Sequence, residues 1–249
     1  MSQSKEPIVS INEVTKDYHL GKVVVPALRG VTLQVHPGEF ISIAGPSGSG
    51  KTTLLNLIGC VDTATGGVVK VAGKDTKELS ERALTDLRLH TIGFIFQSFN
   101  LVSVLSVFQN VEFPLLLQKK YSAQERQSKV MSLLEQVGLA NHAKHRPSEL
   151  SGGQRQRVAV ARALVTQPQI VLADEPTANL DSVTGEQIID LMKNMNRERG
   201  TTFIFSTHDA KVMNHASAVV RIKDGKVLDR VTPAEAVGGM AMAAGAEAH

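Results

Sequence analysis

Four short apolar segments, each followed at once by a polar residue, constrain the fold of this chain more than any other feature. They are FISIA (40–44), TIGFIF (91–96), IVLA (170–173) and TTFIFST (201–207). Uninterrupted apolar segments of this length are typical of strands that are buried on both faces of a parallel sheet covered by helices. Ligands of such sheets bind beyond the carboxyl ends of the strands. The sequence therefore predicts an α/β fold with one shared site at that edge.

A glycine-rich loop, GPSGSGKTT (45–53), follows the first of these segments and precedes a helical segment from Thr52 to about Cys60. In this strand-to-helix context, the pattern G-x-x-x-x-G-K-[ST] binds nucleotide phosphates, because glycines let backbone N–H groups turn inward and the helix dipole attracts anions. Lys51 would bind the β- and γ-phosphates, and the Thr52 hydroxyl would bind Mg²⁺. The predicted phosphate-binding residues are Gly45, Pro46, Ser47, Gly48, Ser49, Gly50, Lys51, Thr52 and Thr53.

Polar residues after the other three apolar segments are candidates for the chemistry. Asp174 is expected to hold Mg²⁺ directly or through water. Glu175 is the candidate base or water-orienting group for attack on the γ-phosphate, a residue that a hydrolase needs and a simple nucleotide switch does not. His208 is a candidate γ-phosphate contact at the same edge. For Gln97, a ligand of Mg²⁺ or water and an ordinary loop glutamine both remain open.

The remainder of the chain predicts two accessory units and a tail. INEVTKDYH, VTLQVHPGEF and GGVVKVAGK, near the N-terminus, indicate antiparallel strands. Capping boxes that begin at Ser106 and Ser122 indicate that residues 98–165 form a helical subdomain inserted in the sheet. We therefore predict a single domain over residues 1–237, and the low-complexity segment 238–249 predicts a disordered tail.

A second glycine-rich helix start, LSGGQ (150–154), is followed by RQRVAVARALVTQ. Ser151 has the position of an N-cap, and the two glycines leave the first N–H groups of the helix uncovered. This helix start therefore predicts a second anion site, although a capped helix after a glycine turn gives the same pattern.

Charge and composition argue against several classes of protein. The net charge is +3, from 27 basic and 24 acidic residues spread along the chain, so we expect no nucleic acid partner. No apolar run approaches the roughly 18 residues that span a bilayer. The single cysteine, Cys60, excludes an intrachain disulfide framework and is expected to be a buried side chain.

Taken together, these motifs resemble those of the ABC-type ATPases. GPSGSGKT, Gln97, LSGGQ, IVLADE, NLD (179–181) and His208 stand in the order of that family, and the resemblance covers about residues 8 to 228. It implies a P-loop NTPase with a RecA-like core, an antiparallel β subdomain and an inserted helical subdomain. It also implies ATP and Mg²⁺ as cofactors.

The same resemblance explains the presence of two glycine-rich helix starts. It implies a head-to-tail dimer in which the phosphate loop of one copy faces the LSGGQ segment of a second copy, with ATP between them. The residues that the resemblance adds to the nucleotide site in this way are Ser151, Gly152, Gly153, Gln154 and Asp181. Tyr18 matches the position of an aromatic residue that stacks on adenine, and a surface tyrosine in a β-turn is the alternative.

The stretch 91–116 is similar to the branch that contains macrolide exporters and lipoprotein-release ATPases. This similarity implies a separate membrane permease subunit and a peripheral location on the cytoplasmic face of the cytoplasmic membrane. The permease would dock near Phe99, Leu101, Val104 and Leu105, for which core packing is the alternative. The chain would use ATP to drive export, lipoprotein release or mechanical signalling across the membrane. A non-transport complex that regulates cell-envelope enzymes remains open.

Overall fold

The structure is a computed structural model that describes residues 6–238. Its strands, in chain order, are β1 (Val9–Leu20), β2 (Val23–Val35), β3 (Phe40–Ala44), β4 (Gly66–Val71), β5 (Lys74–Asp75), β6 (Ile92–Ile95), β7 (Ile170–Ala173), β8 (Thr202–Thr207), β9 (Ala218–Lys223) and β10 (Lys226–Val231). Its α-helices are α1 (Lys51–Ile58), α2 (Glu81–Thr91), α3 (Val107–Gln118), α4 (Ala123–Gln136), α5 (Gly152–Leu164), α6 (Ser182–Arg199) and α7 (Ala210–Met213).

A six-stranded sheet in the order β10-β9-β3-β8-β7-β6 forms the centre of the molecule. The four strands predicted from the apolar segments are β3, β6, β7 and β8, and the pairs β3–β8, β8–β7 and β7–β6 are all parallel. The predicted α/β class is therefore confirmed, and so is the common direction of the four strands. Only the hairpin β9–β10 adds an antiparallel pair at one edge.

Both faces of this sheet are buried, because successive side chains of each strand enter different cores. Phe203 and Phe205 of β8 pack in a cluster with helices α3 to α6. Ile204, between them, packs in a second cluster with α1, α2 and the N-terminal strands. All three side chains have no exposed surface. Continuous apolar strands are the expected result of this two-sided burial.

The N-terminal strands form an antiparallel sheet of order β2-β1-β4-β5, as predicted. Ile11, Val31 and Val69 from three of its strands share a core cluster with Leu54 and Leu57 of α1. The sheet therefore packs on the helix that follows the phosphate loop. Cys60 lies just after this helix, and burial raises the pKa of its thiol to about 11, so the thiol stays protonated at neutral pH.

Helices α3, α4 and α5 lie within the predicted helical segment 98–165. Capping boxes begin α3 at Ser106 and α4 at Ser122, as the sequence predicts. Gly138, with φ of 74°, follows α4 and ends it. The independence of this helical unit as a subdomain stays a prediction.

The C-terminal prediction falls almost entirely outside the described residues. Of the tail predicted for 238–249, only Gly238 is described, and it belongs to a helical stretch at 233–238. Among the helices of residues 6–238, none combines the length and the apolar composition needed to cross a membrane.

Candidate nucleotide-binding site

The loop between β3 and α1 requires glycine at two positions, at Gly50 because of its backbone conformation and at Gly45 because no space exists for a side chain. Gly50 has φ of 103°, and a Cβ atom there would lie 2.8 Å from the Ala27 carbonyl oxygen. A Cβ atom on Gly45 would lie 2.1 Å from the carbonyl oxygen of Ile222. Helix α1 begins at Gly50 without a hydrogen bond from a capping side chain. Its first N–H groups therefore remain available to an anion.

This loop forms one wall of an open cavity with a volume of about 630 Å³. The residues that line it come from the phosphate loop, from the ends of β6, β7 and β8, and from β2. They are Val25, Pro26, Ala27, Pro46, Ser47, Gly48, Gly50, Lys51, Thr52, Thr53, Gln97, Glu175 and His208. The structure thus brings the polar ends of the apolar strands together, as the sequence predicts. Gly45 and Ser49 are buried and do not line the cavity.

Lys51 is folded against its own loop. Its ammonium group donates to the carbonyl oxygens of Gly45 and Pro46 at 2.8 and 3.0 Å, and it lies 3.7 Å from the Glu175 carboxylate. The residue is only 7% exposed. A cation that is held this close to the cavity by two carbonyls provides a fixed positive charge for a polyphosphate.

Asp174 links the phosphate-loop helix to the central sheet. One of its carboxylate oxygens accepts a hydrogen bond from the Thr52 hydroxyl at 2.9 Å, and the other accepts one from the Ser206 hydroxyl at 2.6 Å. Hydroxyl, carboxylate and amide oxygens are ligands that Mg²⁺ prefers. Thr52, Asp174 and the cavity-lining Gln97 therefore fit a Mg²⁺ ion in the chemistry of their donor groups.

Glu175 has an unusual backbone conformation at the end of β7. Its φ is 45°, a left-handed conformation that costs a residue other than glycine about 1–3 kcal/mol. Its N–H group donates to Ser206 at 2.8 Å. Its carboxylate lies 3.0 and 3.1 Å from Nδ1 of His208, whose side chain is 66% exposed. The conformation directs the carboxylate into the cavity between Lys51 and His208.

Tyr18 does not line the cavity, but it lies next to it. It is the direct cross-strand partner of Val25, which does line the cavity, and opposite residues of an antiparallel pair share one face. The Tyr18 hydroxyl donates to Asp62 at 2.8 Å, and the Lys16 ammonium lies 4.9 Å from the ring centroid. Burial and the hydrogen bond to Asp62 raise the pKa of Tyr18.

Asp62 is held by three donors. Lys16 donates to it at 2.6 Å, Tyr18 at 2.8 Å and the Thr63 N–H at 2.7 Å. Burial by itself would raise the pKa of this carboxyl group, but the three hydrogen bonds outweigh burial and lower the pKa. Asp62 therefore connects the segment after α1 to the aromatic side chain on β1.

The LSGGQ segment lies outside the cavity. Ser151 is an exposed N-cap of α5, and a capping box joins it to Gln154. The Gln154 side-chain amide also lies 3.2 Å from Nε2 of His142. Gly153 packs closely on the next helix, since a Cβ atom there would lie 2.5 Å from the Thr184 methyl group. In a single chain, this helix start does not contribute to the phosphate-loop cavity.

Asp181 occupies the N-cap of α6, beside the LSGGQ segment. Its carboxylate accepts from the N–H and the hydroxyl of Thr184 at 3.0 and 2.7 Å. These bonds lower the pKa of Asp181. Nearby, the Asn179 amide donates to the Gln97 carbonyl at 2.9 Å. The NLD segment therefore contacts both the phosphate-loop side, through Gln97, and the LSGGQ helix, through Thr184.

Sequence reasoning missed three residues of this region, namely Asp62, His142 and Ser206, and it included Asn179 only as part of the NLD motif, without a role. Ser206 lies two residues before His208 in an apolar strand, so a polar side chain at a buried strand position was the signal that could have revealed it. The roles of the others could not be predicted, because their side chains bond to side chains or carbonyls that lie 12 to 82 positions away.

A phosphate loop on a parallel sheet, with a carboxylate pair and a histidine at the same edge, defines a P-loop NTPase. The model of the ABC transporter family matches residues 28–178. An uncharacterized ABC transporter ATP-binding protein of Thermotoga maritima is 45% identical over 220 residues, covering 88% of this chain and 93% of that protein. The lipoprotein-releasing system ATP-binding protein LolD of Anaeromyxobacter dehalogenans is 45% identical over 222 residues, covering 89% and 93%.

A solved structure supports the same assignment. The dimeric, post-hydrolysis state of the ATP-binding cassette MJ0796 bound to ADP and Pi matches with a TM-score of 0.84 and 44% identity, covering 90% of this chain and 98% of that one. MJ0796 is a protein of Methanocaldococcus jannaschii. This chain belongs to the ABC transporter family, and it is an ABC ATPase, the ATP-binding cassette of a transporter.

Proposed function

We propose that this chain hydrolyses ATP between two head-to-tail copies of itself, each supplying the phosphate loop of one site and the LSGGQ segment of the other. The observation that carries this proposal is the separation of the two helix starts. The phosphate-loop residues, Glu175 and His208 line one cavity, whereas the exposed Ser151 lies outside it. A two-fold dimer brings such separated surfaces together twice. The dimeric state of the related cassette supports the same arrangement.

In the proposed site, backbone N–H groups of residues 45–53 bind the phosphates. Lys51 exchanges the carbonyl oxygens of its own loop for phosphate oxygens, and this exchange keeps its charge compensated. Ser151 of the second copy donates its hydroxyl proton to the γ-phosphate while its oxygen stays in the capping box. ATP therefore joins the two copies, and loss of the γ-phosphate lets them separate.

Glu175 is the proposed base that orients the attacking water, and His208 holds its carboxylate. Thr52, Asp174 and Gln97 would hold Mg²⁺, which when bound compensates the phosphate charge. Because Lys51 and His208 flank Glu175 in the cavity, they hold its carboxylate towards the γ-phosphate side. The three side chains therefore share one task, which is to place a carboxylate oxygen of Glu175 beside the attacking water.

Tyr18 is the proposed platform for the adenine base. Its cross-strand position beside Val25 gives one apolar face next to the phosphate loop, on which a base can stack. Asp62 holds the ring by accepting a hydrogen bond from its hydroxyl, and the Lys16 ammonium lies over one face of the ring.

A membrane permease is the proposed partner, and it would dock on the loop after β6. Within this loop Val104 is 72% exposed and Val102 is 42% exposed. Asn110, which is buried, bonds to both the N–H and the carbonyl of Val102 and to the carbonyls of Leu105 and Ser106. The exposed valines are therefore fixed in place, as a preformed docking surface requires.

Other apolar residues of this loop are partly buried. Leu101 packs on the core, and the Phe99 ring lies under the Arg155 guanidinium. The docking function therefore rests on Val102 and Val104, and Val104→Asp is expected to abolish copurification with the permease while ATP binding stays unchanged. Relatives named for macrolide export and for lipoprotein release support an export or release role. With such a role, the chain would lie at the cytoplasmic face of the membrane beside its permease.

Glu175→Gln tests the proposed reaction. We expect this variant to bind ATP with Mg²⁺ and to accumulate as a dimer, while turnover falls about 10²- to 10⁴-fold because the proposed base is lost. Light scattering coupled to gel filtration measures the dimer, and phosphate release measures turnover. Near-normal turnover would remove Glu175 from its role. A strictly monomeric variant at saturating ATP, alone and with its permease, would contradict the shared site.

A further inference from the structure

Ser206 is a buried hydroxyl between the two acidic residues of the site. It has no exposed surface, and it lies on β8 next to the end of β7. Its hydroxyl proton is donated to Asp174 at 2.6 Å, and its oxygen accepts the Glu175 N–H at 2.8 Å. One serine hydroxyl has one proton to donate and lone pairs to accept, so both bonds form at once.

We propose that Ser206 is a positioning residue that fixes both Asp174 and Glu175 in their working geometry. This inference rests on the proposed function, since it assigns a task to Ser206 through those two carboxylates. It concerns the reaction itself rather than the binding of ATP, because Ser206 does not line the nucleotide cavity.

On the Asp174 side, Ser206 determines the orientation of the carboxylate plane. The two oxygens of Asp174 are held by two different elements, one by Ser206 on β8 and the other by Thr52 on α1. Without the Ser206 donor, one oxygen loses its partner in a partly buried position, and the carboxylate is free to rotate about χ2. Rotation would separate Asp174 from Thr52, and both belong to the proposed Mg²⁺ ligands.

On the Glu175 side, Ser206 stabilises a backbone conformation that a glutamate seldom adopts. Glu175 has a φ of 45°, and its backbone N–H donates a hydrogen bond to the Ser206 hydroxyl oxygen. Loss of the acceptor leaves this N–H unpaired, and the peptide relaxes towards a more common conformation. The Glu175 carboxylate would then move away from Lys51 and His208.

A second buried serine provides a matched control. Ser42 on β3 also has no exposed surface, and its hydroxyl finds no hydrogen-bond partner among the described residues. Ser42 alternates with Ile41 and Ile43 and therefore lies on the opposite face of the sheet from α1. Ser42→Ala removes the same atom from another fully buried strand position without touching either carboxylate.

The test compares Ser206→Ala, Ser206→Thr and Ser42→Ala in the full-length protein. For Ser206→Ala we expect kcat to fall about 10- to 100-fold, because a misplaced base and cation site cost about that much, with the affinity for ATP in EDTA unchanged. The Mg²⁺ concentration that gives half-maximal ATP-dependent dimerisation, measured by light scattering in the Glu175→Gln background, should rise several-fold when Ser206→Ala is added. Ser206→Thr keeps the hydroxyl and should restore both values, and Ser42→Ala should change neither.

The inference is wrong if Ser206→Ala matches Ser42→Ala in kcat and in the Mg²⁺ midpoint. It is equally wrong if kcat falls only in proportion to a loss of folded protein, measured by thermal melting, with the Mg²⁺ midpoint unchanged. The proposed function fails separately, through normal turnover of Glu175→Gln itself. In that case the kcat of Ser206→Ala against that of Ser42→Ala, measured in the otherwise natural chain, still reports whether Ser206 acts on the reaction through Asp174.

Discussion

The two glycine-rich helix starts of this chain look alike in sequence but differ in structure. Helix α1 has Gly50 as its N-cap, receives no hydrogen bond from a capping side chain, and lines a cavity with its first residues. Helix α5 begins at Ser151, is closed by a capping box with Gln154 and lies outside that cavity, with Ser151 exposed. The first helix start offers an anion its free N–H groups and a lysine. The second offers mainly the hydroxyl proton of Ser151, because its capping box already occupies the serine oxygen. This difference supports the proposal that the first helix start binds phosphate within one chain and that the second completes the site of another copy.

The comparison is tested most strongly by Lys51→Ala and Ser151→Arg. Lys51→Ala should weaken ATP binding to a single chain roughly 10- to 100-fold, because a charged hydrogen bond contributes about 1.5–3 kcal/mol. Ser151→Arg should leave that binding intact and abolish dimerisation, because the larger side chain would fill the space that the phosphate loop of the second copy occupies in the proposed dimer. Fluorescent-nucleotide titration and light scattering separate the two effects. Equal loss of ATP binding in both variants would mean that α5 acts within one chain.

Alanine at the two glycines sharpens the difference in backbone geometry. Gly50→Ala should destabilise the protein by about 1–3 kcal/mol, since its φ of 103° is unfavourable for alanine. Gly153→Ala, in a helix, gains up to about 1 kcal/mol of helix propensity, but its Cβ atom would lie 2.5 Å from the Thr184 methyl group, which would have to shift. These two effects oppose each other, so we expect a smaller loss of stability than for Gly50→Ala. Urea unfolding measures both. The comparison is contradicted if Gly153→Ala is the more destabilised of the two.

Ser151→Ala, with Ser122→Ala as its control, separates capping from nucleotide binding. Both serines close a capping box, on α5 and α4 respectively, so each change should cost about 1 kcal/mol of stability. Only Ser151→Ala should also weaken ATP-dependent dimerisation in the Glu175→Gln background. If both variants dimerise equally well, the Ser151 hydroxyl does not contact ATP.

The smallest effect concerns Asp62, on the phosphate-loop side. Its pKa is lowered in the folded chain, so its contribution to stability is present above the ordinary carboxyl pKa of about 3.9 and is lost as pH falls through the lower folded value. Asp62→Asn should therefore lower the melting temperature slightly at pH 6, and the difference should shrink below about pH 4. A difference that stays constant over this range would show that the carboxylate charge is not involved.

Much of the fold was predictable because local patterns agree with the tertiary structure. Apolar segments bounded by polar residues identified β3, β6, β7 and β8 within about one residue at each end. Capping boxes identified the starts of α3 and α4, where the interaction spans only three residues. Both kinds of signal depend on neighbours in the sequence, and both were correct.

The site was predictable only in part. The phosphate loop, Glu175 and His208 follow from motif and strand position, whereas the bond between Asn179 and Gln97 joins residues 82 positions apart. Tyr18 was assigned to the adenine base only through the family resemblance, and no sequence pattern indicated its partner Asp62. Long-range hydrogen bonds of this kind depend on how the strands and loops pack, which no local pattern contains.

By itself, the sequence determined the class of fold and the residue types of the nucleotide site, because strand burial, helix capping and the glycine loop are local consequences of side-chain chemistry. Tertiary structure decided the remainder. It placed Ser206 between Asp174 and Glu175, gave Glu175 its left-handed backbone, and kept LSGGQ out of the phosphate-loop cavity. The physical reason is that distances between side chains on different strands are fixed only when both faces of the sheet are packed.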